Sequence, residues 1–249
     1  MGNNLWQWIC RVLLSISLSL LISCEAPTFP PGKYFYGSQL LLAQAIAQTD
    51  LQRVKELAIK TDLNTPGKQD MTLLYYAFMA AKSRKPEQLK VITELVKSGA
   101  DPLQKVPDMS SVANIMARSA NPEYIEALIN GGMSPNAITE DTPIFFYAAR
   151  DTTLDTLKLF LSRGADINLQ DDLGLTVVMD SLISDQLLAT EWLLNHGATP
   201  LVAQKNSGWT FMHQLKDMIT RCNDIETKKK LIALQQLAIE KGGTEYHGE

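Results

Sequence analysis

The residues that most often ligate metals or act as nucleophiles near neutral pH are scarce in this chain: three histidines and three cysteines in 249 residues. His213 follows Thr210 by three positions, His196 precedes Gly197, and His247 lies in the tail. None has a second ligand at the spacing that a metal site uses. Cys10 and Cys24 are near the start, which leaves Cys222 alone in the remainder and without an intramolecular disulfide. Cys222 is expected to be buried and inert, the alternative being a thiol that pairs between molecules. There is no G-x-S-x-G, H-E-x-x-H, C-x-x-C or phosphate-cradling glycine loop after Cys24. The paired carboxylates Glu140-Asp141 and Asp171-Asp172 read as turn residues and solvated charge. Lys and Arg number 23 against 27 Asp and Glu, a net charge of −4. That balance lacks the basic face that nucleic acid requires. The expectation is a chain that is no enzyme and uses neither cofactor nor metal.

What must position any binding residues is a recurring unit. Its clearest copy runs from Asp141 to Asn168, DTPIFFYAARDTTLDTLKLFLSRGADIN. Thr142 is expected to cap a first helix with its hydroxyl, and Pro143 suits the first helical position, where its missing N–H costs nothing. Ile144, Tyr147 and Ala148 sit at helical spacing. Leu154, Leu157, Phe160 and Leu161 make the apolar stripe of a second helix, and Gly164 stops it. Caps recur at Thr72, Ser110, Thr142, Thr176 and Thr210, and stop glycines at Gly99, Gly132, Gly164 and Gly197. Both series step by about 33 residues, in the range of a helical repeat.

These residues carry a resemblance to the ankyrin-repeat family over roughly residues 38–242. The motifs are T-P-x-x-x-x-A from Thr142 to Ala148, G-A-D-x-N from Gly164 to Asn168, and G-A-D-P from Gly99 to Pro102. Two more are L-L-x-x-G-A from Leu193 to Ala198 and G-x-T-x-x-H from Gly208 to His213. The resemblance implies an all-α solenoid of about six helix-turn-helix repeats with atypical terminal caps. It also implies that His213 serves packing and capping. His196 favours the negative end of a helix dipole.

Residues 1–23 read as a signal peptide. Arg11 precedes a short apolar run, Val12 to Ile22, too short for a comfortable membrane span. Leu21-Ile22-Ser23-Cys24 resembles a bacterial lipobox. The resemblance implies cleavage before Cys24 and acylation of that residue, with several chains giving stable anchoring. Glu25 is a poor inner-membrane retention signal, so the resemblance favours the periplasmic face of the outer membrane. Residues 24–37 then form the lipidated cysteine and a Pro-rich tether. Extended, it would hold the domain roughly 40 Å from the lipid at about 3.1 Å per residue. Alternatively Tyr34, Phe35 and Tyr36 fold back as a hydrophobic cap. Residues 38–64 read as a degenerate first repeat. Lys82 to Pro86 reads as an inserted, solvated loop. The third repeat, from Ser110, departs most from the pattern. Lys228, Lys229 and Lys230 fall on the outer side of a last helix, and 243–249 is a tail.

Side chains on the inner face of such an array recur once per repeat. Four residues after each cap stand Tyr76, Asn114, Phe146, Asp180 and Gln214; one residue before each stand Met71, Met109, Asp141, Leu175 and Trp209. The large aromatics and methionines among them are expected to form a partner-binding surface, ringed by Asp108, Glu140, Asp141, Asp171, Asp172 and Asp180. The alternative is that a tightly curved solenoid packs them internally. Bacterial lipoproteins with ankyrin-like repeats are found beside type VI secretion phospholipase effectors. That resemblance implies a monomeric immunity protein whose partner is a secreted phospholipase toxin. A periplasmic scaffold or chaperone for an endogenous envelope enzyme is the alternative, and a host-directed effector a weaker third.

Overall fold

The structure is a computed structural model, and it describes residues 29–244 apart from 108–109. The signal peptide, Cys24, Asp108, Met109 and His247 lie outside the described residues.

Eleven α-helices are present among the described residues: α1 (Gly37–Ala47), α2 (Leu51–Ala58), α3 (Leu73–Ala80), α4 (Pro86–Lys97), α5 (Val112–Ala117), α6 (Pro122–Asn130), α7 (Leu154–Ser162), α8 (Val177–Ile183), α9 (Leu187–Asn195), α10 (Phe211–Arg221) and α11 (Ile225–Glu240). They stack in two rows. The inner row is α1, α3, α5, a 3-10 helix at Ile144–Ala148, α8 and α10; the outer row is α2, α4, α6, α7, α9 and α11. Each repeat buries its apolar stripe against its neighbours, because one helix pair alone has too little core. Ile92, Leu95, Ile125, Leu128, Leu157 and Phe160 are fully buried along the outer row, as are Leu73, Met116, Phe145, Val178 and Phe211 along the inner one.

The helix signals mostly hold. All four stop glycines are left-handed, with φ from 92° at Gly164 to 115° at Gly132. Thr72 accepts the Tyr75 N–H as a helix cap should. Thr210 and His213 form a reciprocal box, in which the Thr210 N–H donates to His213 Nδ1 at 3.1 Å. His196 sits at the C-terminal end of α9, its Nδ1 2.7 Å from the Trp192 carbonyl.

Three caps are corrected. Thr176 stands at the N-cap of α8, but its buried hydroxyl has no hydrogen-bond partner. The third-repeat cap is Ser111, whose hydroxyl accepts the Asn114 N–H, not Ser110. Ser110 instead pairs with Val106 in a short hairpin, β1 (Lys105–Val106) with β2 (Ser110–Ser111). Thr142 caps nothing. It lies in a second hairpin, β3 (Ile138–Thr139) with β4 (Thr142–Pro143), so the helix after it is a short 3-10 turn. Pro143 has an extended ψ of 131°, which holds it in the strand and out of the helix.

From Phe29 onward the chain takes the fold-back alternative and is no extended tether. Tyr34 and Phe35 are buried against the first repeats, and the Phe35 ring meets that of Tyr76 edge-on at 5.5 Å. The Tyr76 hydroxyl donates to the Phe29 carbonyl at 2.7 Å. A Cβ on Gly67 would fall 2.4 Å from the Tyr34 carbonyl oxygen, so only glycine admits this close approach. Tyr36 stays exposed, so two of the three aromatics form the cap.

Asparagine side chains join the repeats on the turn side. The Asn136 amide donates to Gly164 O while its Oδ1 accepts the Asp166 N–H. Asn64 does the same for Gly99 and Asp101, and Asn168 for Gly197 and Thr199.

Candidate binding groove

Among the described residues four hairpin-like fingers project beside the inner helices. Two are the β1–β2 and β3–β4 hairpins; the others close on single bridges, Gln170 with Thr176 and Ala203 with Thr210. The fingers are joined to one another. The Asp172 N–H donates to Asp141 O at 3.1 Å, and the Lys205 N–H to Leu173 O at 3.1 Å. Lys105 Nζ meets Glu140 Oε1 at 2.9 Å, linking the first two fingers. That hydrogen bond holds the Lys105 ammonium above its ordinary pKa.

The structure divides the expected binding residues. Tyr76, Asn114, Phe146 and Gln214 are buried, between 2% and 7% exposed, and are packing residues rather than an open surface. For the third repeat the reason is the one-residue shift of the cap: four residues after Ser111 stands Ile115, half-buried and lining the groove. In the fourth repeat the 3-10 turn buries Phe146 against Phe145 and leaves Tyr147 half-exposed. Tyr76 is consumed by the N-terminal cap. Met71 and Leu175 are half-buried, packed partly against the core. Asp141 and Trp209 are exposed, and the Trp209 ring stacks over His213 at 6.4 Å. Met109 lies outside the described residues.

The expected acidic ring is in part neutralised or withdrawn, while Asp141 and Asp172 stay exposed. Arg150 Nη1 meets Asp180 Oδ2 at 3.1 Å, and Glu140 is held by Lys105. Asp171 is 9% exposed; its Oδ1 accepts the Leu175 N–H, and burial raises its pKa above the usual carboxylate value.

Sequence reading missed the cations. Arg118 lies over the Tyr147 ring, 4.7 Å from its centroid, and its Nε donates to Asn114 Oδ1 at 2.9 Å. Arg118 thus bridges the third repeat to the fourth, and Arg150 the fourth to the fifth. The pair was legible as A-R at 117–118 and 149–150, each at the end of an inner element. Between the first finger and α5 lies a concavity of about 740 Å³, lined by Lys105, Ser110, Asn114, Ile115, Arg118 and Glu140 among others. These groups suit recognition of a polar chain rather than bond-making. Among the described residues no group of three or more His, Cys, Asp or Glu is placed to hold a metal ion, and no helix is long and apolar enough to cross a membrane. Cys222 is half-exposed, not fully buried as expected, and its thiol approaches the Asp224 carbonyl at 3.4 Å.

The same stacking recurs in solved proteins. The ankyrin-repeat domain of Bcl-3 superposes with a TM-score of 0.61 at 20% identity, over 82% of this chain and 86% of that one. The chain has the ankyrin-repeat fold. A second ankyrin-repeat structure, from Acinetobacter baumannii, gives 0.56 at 21% identity, over 82% of this chain and 98% of that one. A chain of the solved complex between the predatory endopeptidase Bd0816 of Bdellovibrio bacteriovorus and its immunity protein Bd3460 gives 0.52 at 23% identity, over 78% and 97%. In sequence, Protein PhlB of Serratia liquefaciens is 33% identical over 142 residues. The match spans 55% of this chain and 59% of the length of that relative. No family model matches the chain. Ankyrin-type arrays present extended concave surfaces, and the finger-lined groove is the corresponding face of this chain.

Proposed function

We propose that this ankyrin-repeat chain is a non-catalytic immunity protein that binds and neutralises a type VI secretion toxin of the phospholipase type. The observation that carries the reading is the groove itself. It is a rigid surface, fixed by finger-to-finger hydrogen bonds and by Arg118 and Arg150, and it keeps Trp209, Asp141, Tyr147 and Ile115 accessible. Rigidity suits a stoichiometric inhibitor, since little ordering entropy is lost on binding. The fold shared with a chain of a complex between an endopeptidase and an immunity protein supports the same reading. Signal-peptide removal and acylation at Cys24 would place the domain on the periplasmic side of the envelope, with the outer membrane favoured. There the toxin would meet it at high effective concentration.

The test has two parts. Deleting the gene should make the strain sensitive to secretion-competent siblings, and a copy expressed in trans should restore protection. The protein should also co-purify with one exported toxin in a stoichiometric complex and inhibit it. Tolerance of the deletion during sibling contact would retire the proposal. Capture of a housekeeping envelope enzyme that is stabilised without being inhibited would replace it with a scaffold role.

A further inference from the structure

We infer that the concavity between the first finger and α5 receives one carboxylate, the side chain of an Asp or Glu on a loop of the protein partner. The inference rests on the reading of this face as the binding surface, and it names the chemistry of the contact.

Arg118 is held from two sides. Asn114, which is buried, accepts from its Nε at 2.9 Å, and the guanidinium carbon lies over the Tyr147 ring. Both contacts leave the terminal nitrogens for a ligand. A guanidinium fixed in this way presents a planar pair of N–H donors, which matches a carboxylate in a bidentate geometry. Fixing it beforehand also removes the side-chain entropy that binding would otherwise cost.

The second observation is Ser110. The residue lines the same concavity, and its hydroxyl oxygen is buried without a hydrogen-bond partner. A buried polar group left unpaired is costly, and a ligand oxygen would satisfy it. Ser110 also holds a left-handed φ of 67°, unusual for a residue with a Cβ. Ile115 supplies an apolar wall for the methylene stem of the acid.

Charge selects among anions. Lys105 and Glu140 neutralise each other at the mouth, leaving Arg118 as the net positive charge of the lining named here. One charge complements one carboxylate. A phosphate dianion would set two negative charges against that single net positive charge.

The test uses the full chain in detergent micelles and two blocked pentapeptides, Ac-Gly-Gly-Glu-Gly-Gly-NH2 and its Gln counterpart. Nitrogen–proton NMR follows the Arg118 Nε–H and the Ser110 amide. Expected are saturable shifts with the Glu peptide at an affinity at least about tenfold above the Gln peptide. Arg118→Gln should abolish them with the helical circular dichroism unchanged, and Ser110→Ala should weaken binding several-fold. Equal binding of the two peptides would overturn the inference. So would Glu-peptide affinity that survives Arg118→Gln, or inorganic phosphate binding more tightly than the Glu peptide. Because no toxin is present, failure here leaves the immunity reading to the sibling assay, and failure there leaves this contact intact.

Discussion

Asn136 clasps the backbone of the following repeat: its amide nitrogen donates to Gly164 O at 3.2 Å and its Oδ1 accepts the Asp166 N–H at 2.7 Å. One side chain therefore satisfies a donor and an acceptor at a helix end that the helix itself leaves open. Asn64 and Asn168 repeat the clasp, while Leu103 occupies the corresponding place between the second and third repeats.

Asn136→Ala is expected to cost about 1–2 kcal/mol, the net value of two hydrogen bonds at a half-buried site. Urea denaturation followed by circular dichroism measures it. A loss below about 0.3 kcal/mol would mean that water replaces the clasp.

Phe146 and Trp209 should part company on substitution. Phe146→Ala opens a cavity under the Phe145 ring and is expected to destabilise by about 3–5 kcal/mol. Trp209→Ala removes a half-exposed ring and should stay within about 0.5 kcal/mol of wild type. In the proposed complex the same change should weaken capture by about 1–2 kcal/mol, as aromatic anchors do. Thermal melts and co-purification on the two variants separate packing from contact.

Tyr76→Phe deletes only the hydroxyl that donates to the Phe29 carbonyl. About 1 kcal/mol should be lost. Hydrogen exchange should quicken at residues 31–35 before it quickens in the outer helices.

Acid should act on two kinds of aspartate with opposite sign. Asp224 accepts the Thr227 N–H at the start of α11, and that bond holds its carboxyl below the ordinary value. Its contribution is present above the unfolded-state pKa, about 3.9, and is lost as pH falls through the lower folded value. Asp171 is the reverse: burial raises its pKa, so its ionisation opposes folding as pH rises through that value. Asp171→Asn keeps an oxygen for the Leu175 N–H, so it should be neutral or stabilising at pH 7. Asp224→Asn should flatten the acid limb of a stability–pH curve. An acid limb for Asp224→Asn as steep as that of wild type would discard the assignment.

The solenoid was legible because its signals are local. A glycine that must be left-handed and a threonine that must cap sit at fixed offsets within one repeat, and Gly99, Gly132, Gly164, Gly197, Thr72 and Thr210 all behave so. The surface was not, because its faces depend on the phase of each inner helix. Moving the cap from Ser110 to Ser111 rotates the facing residue by about 100°, one position on a helix of 3.6 residues per turn. That rotation exchanges buried Asn114 for Ile115. The hairpins were invisible for a related reason, since two-residue strands carry no alternation to read. Arg118 and Arg150 gain their meaning only from Tyr147 and Asp180, which lie a repeat away in sequence.

The docking of Phe29 against Tyr76 sets the length of a leash. Five chain steps, through four intervening residues, lead from Cys24 to Phe29. Fully extended, they span at most about 17 Å, well short of the distance a free linker through residue 37 would allow. With the proposed lipid at Cys24, the groove would patrol a thin shell next to the bilayer and leave the bulk periplasm unguarded. A toxin that works on the membrane would enter that shell to reach its substrate, whereas one that works on soluble targets would pass outside it.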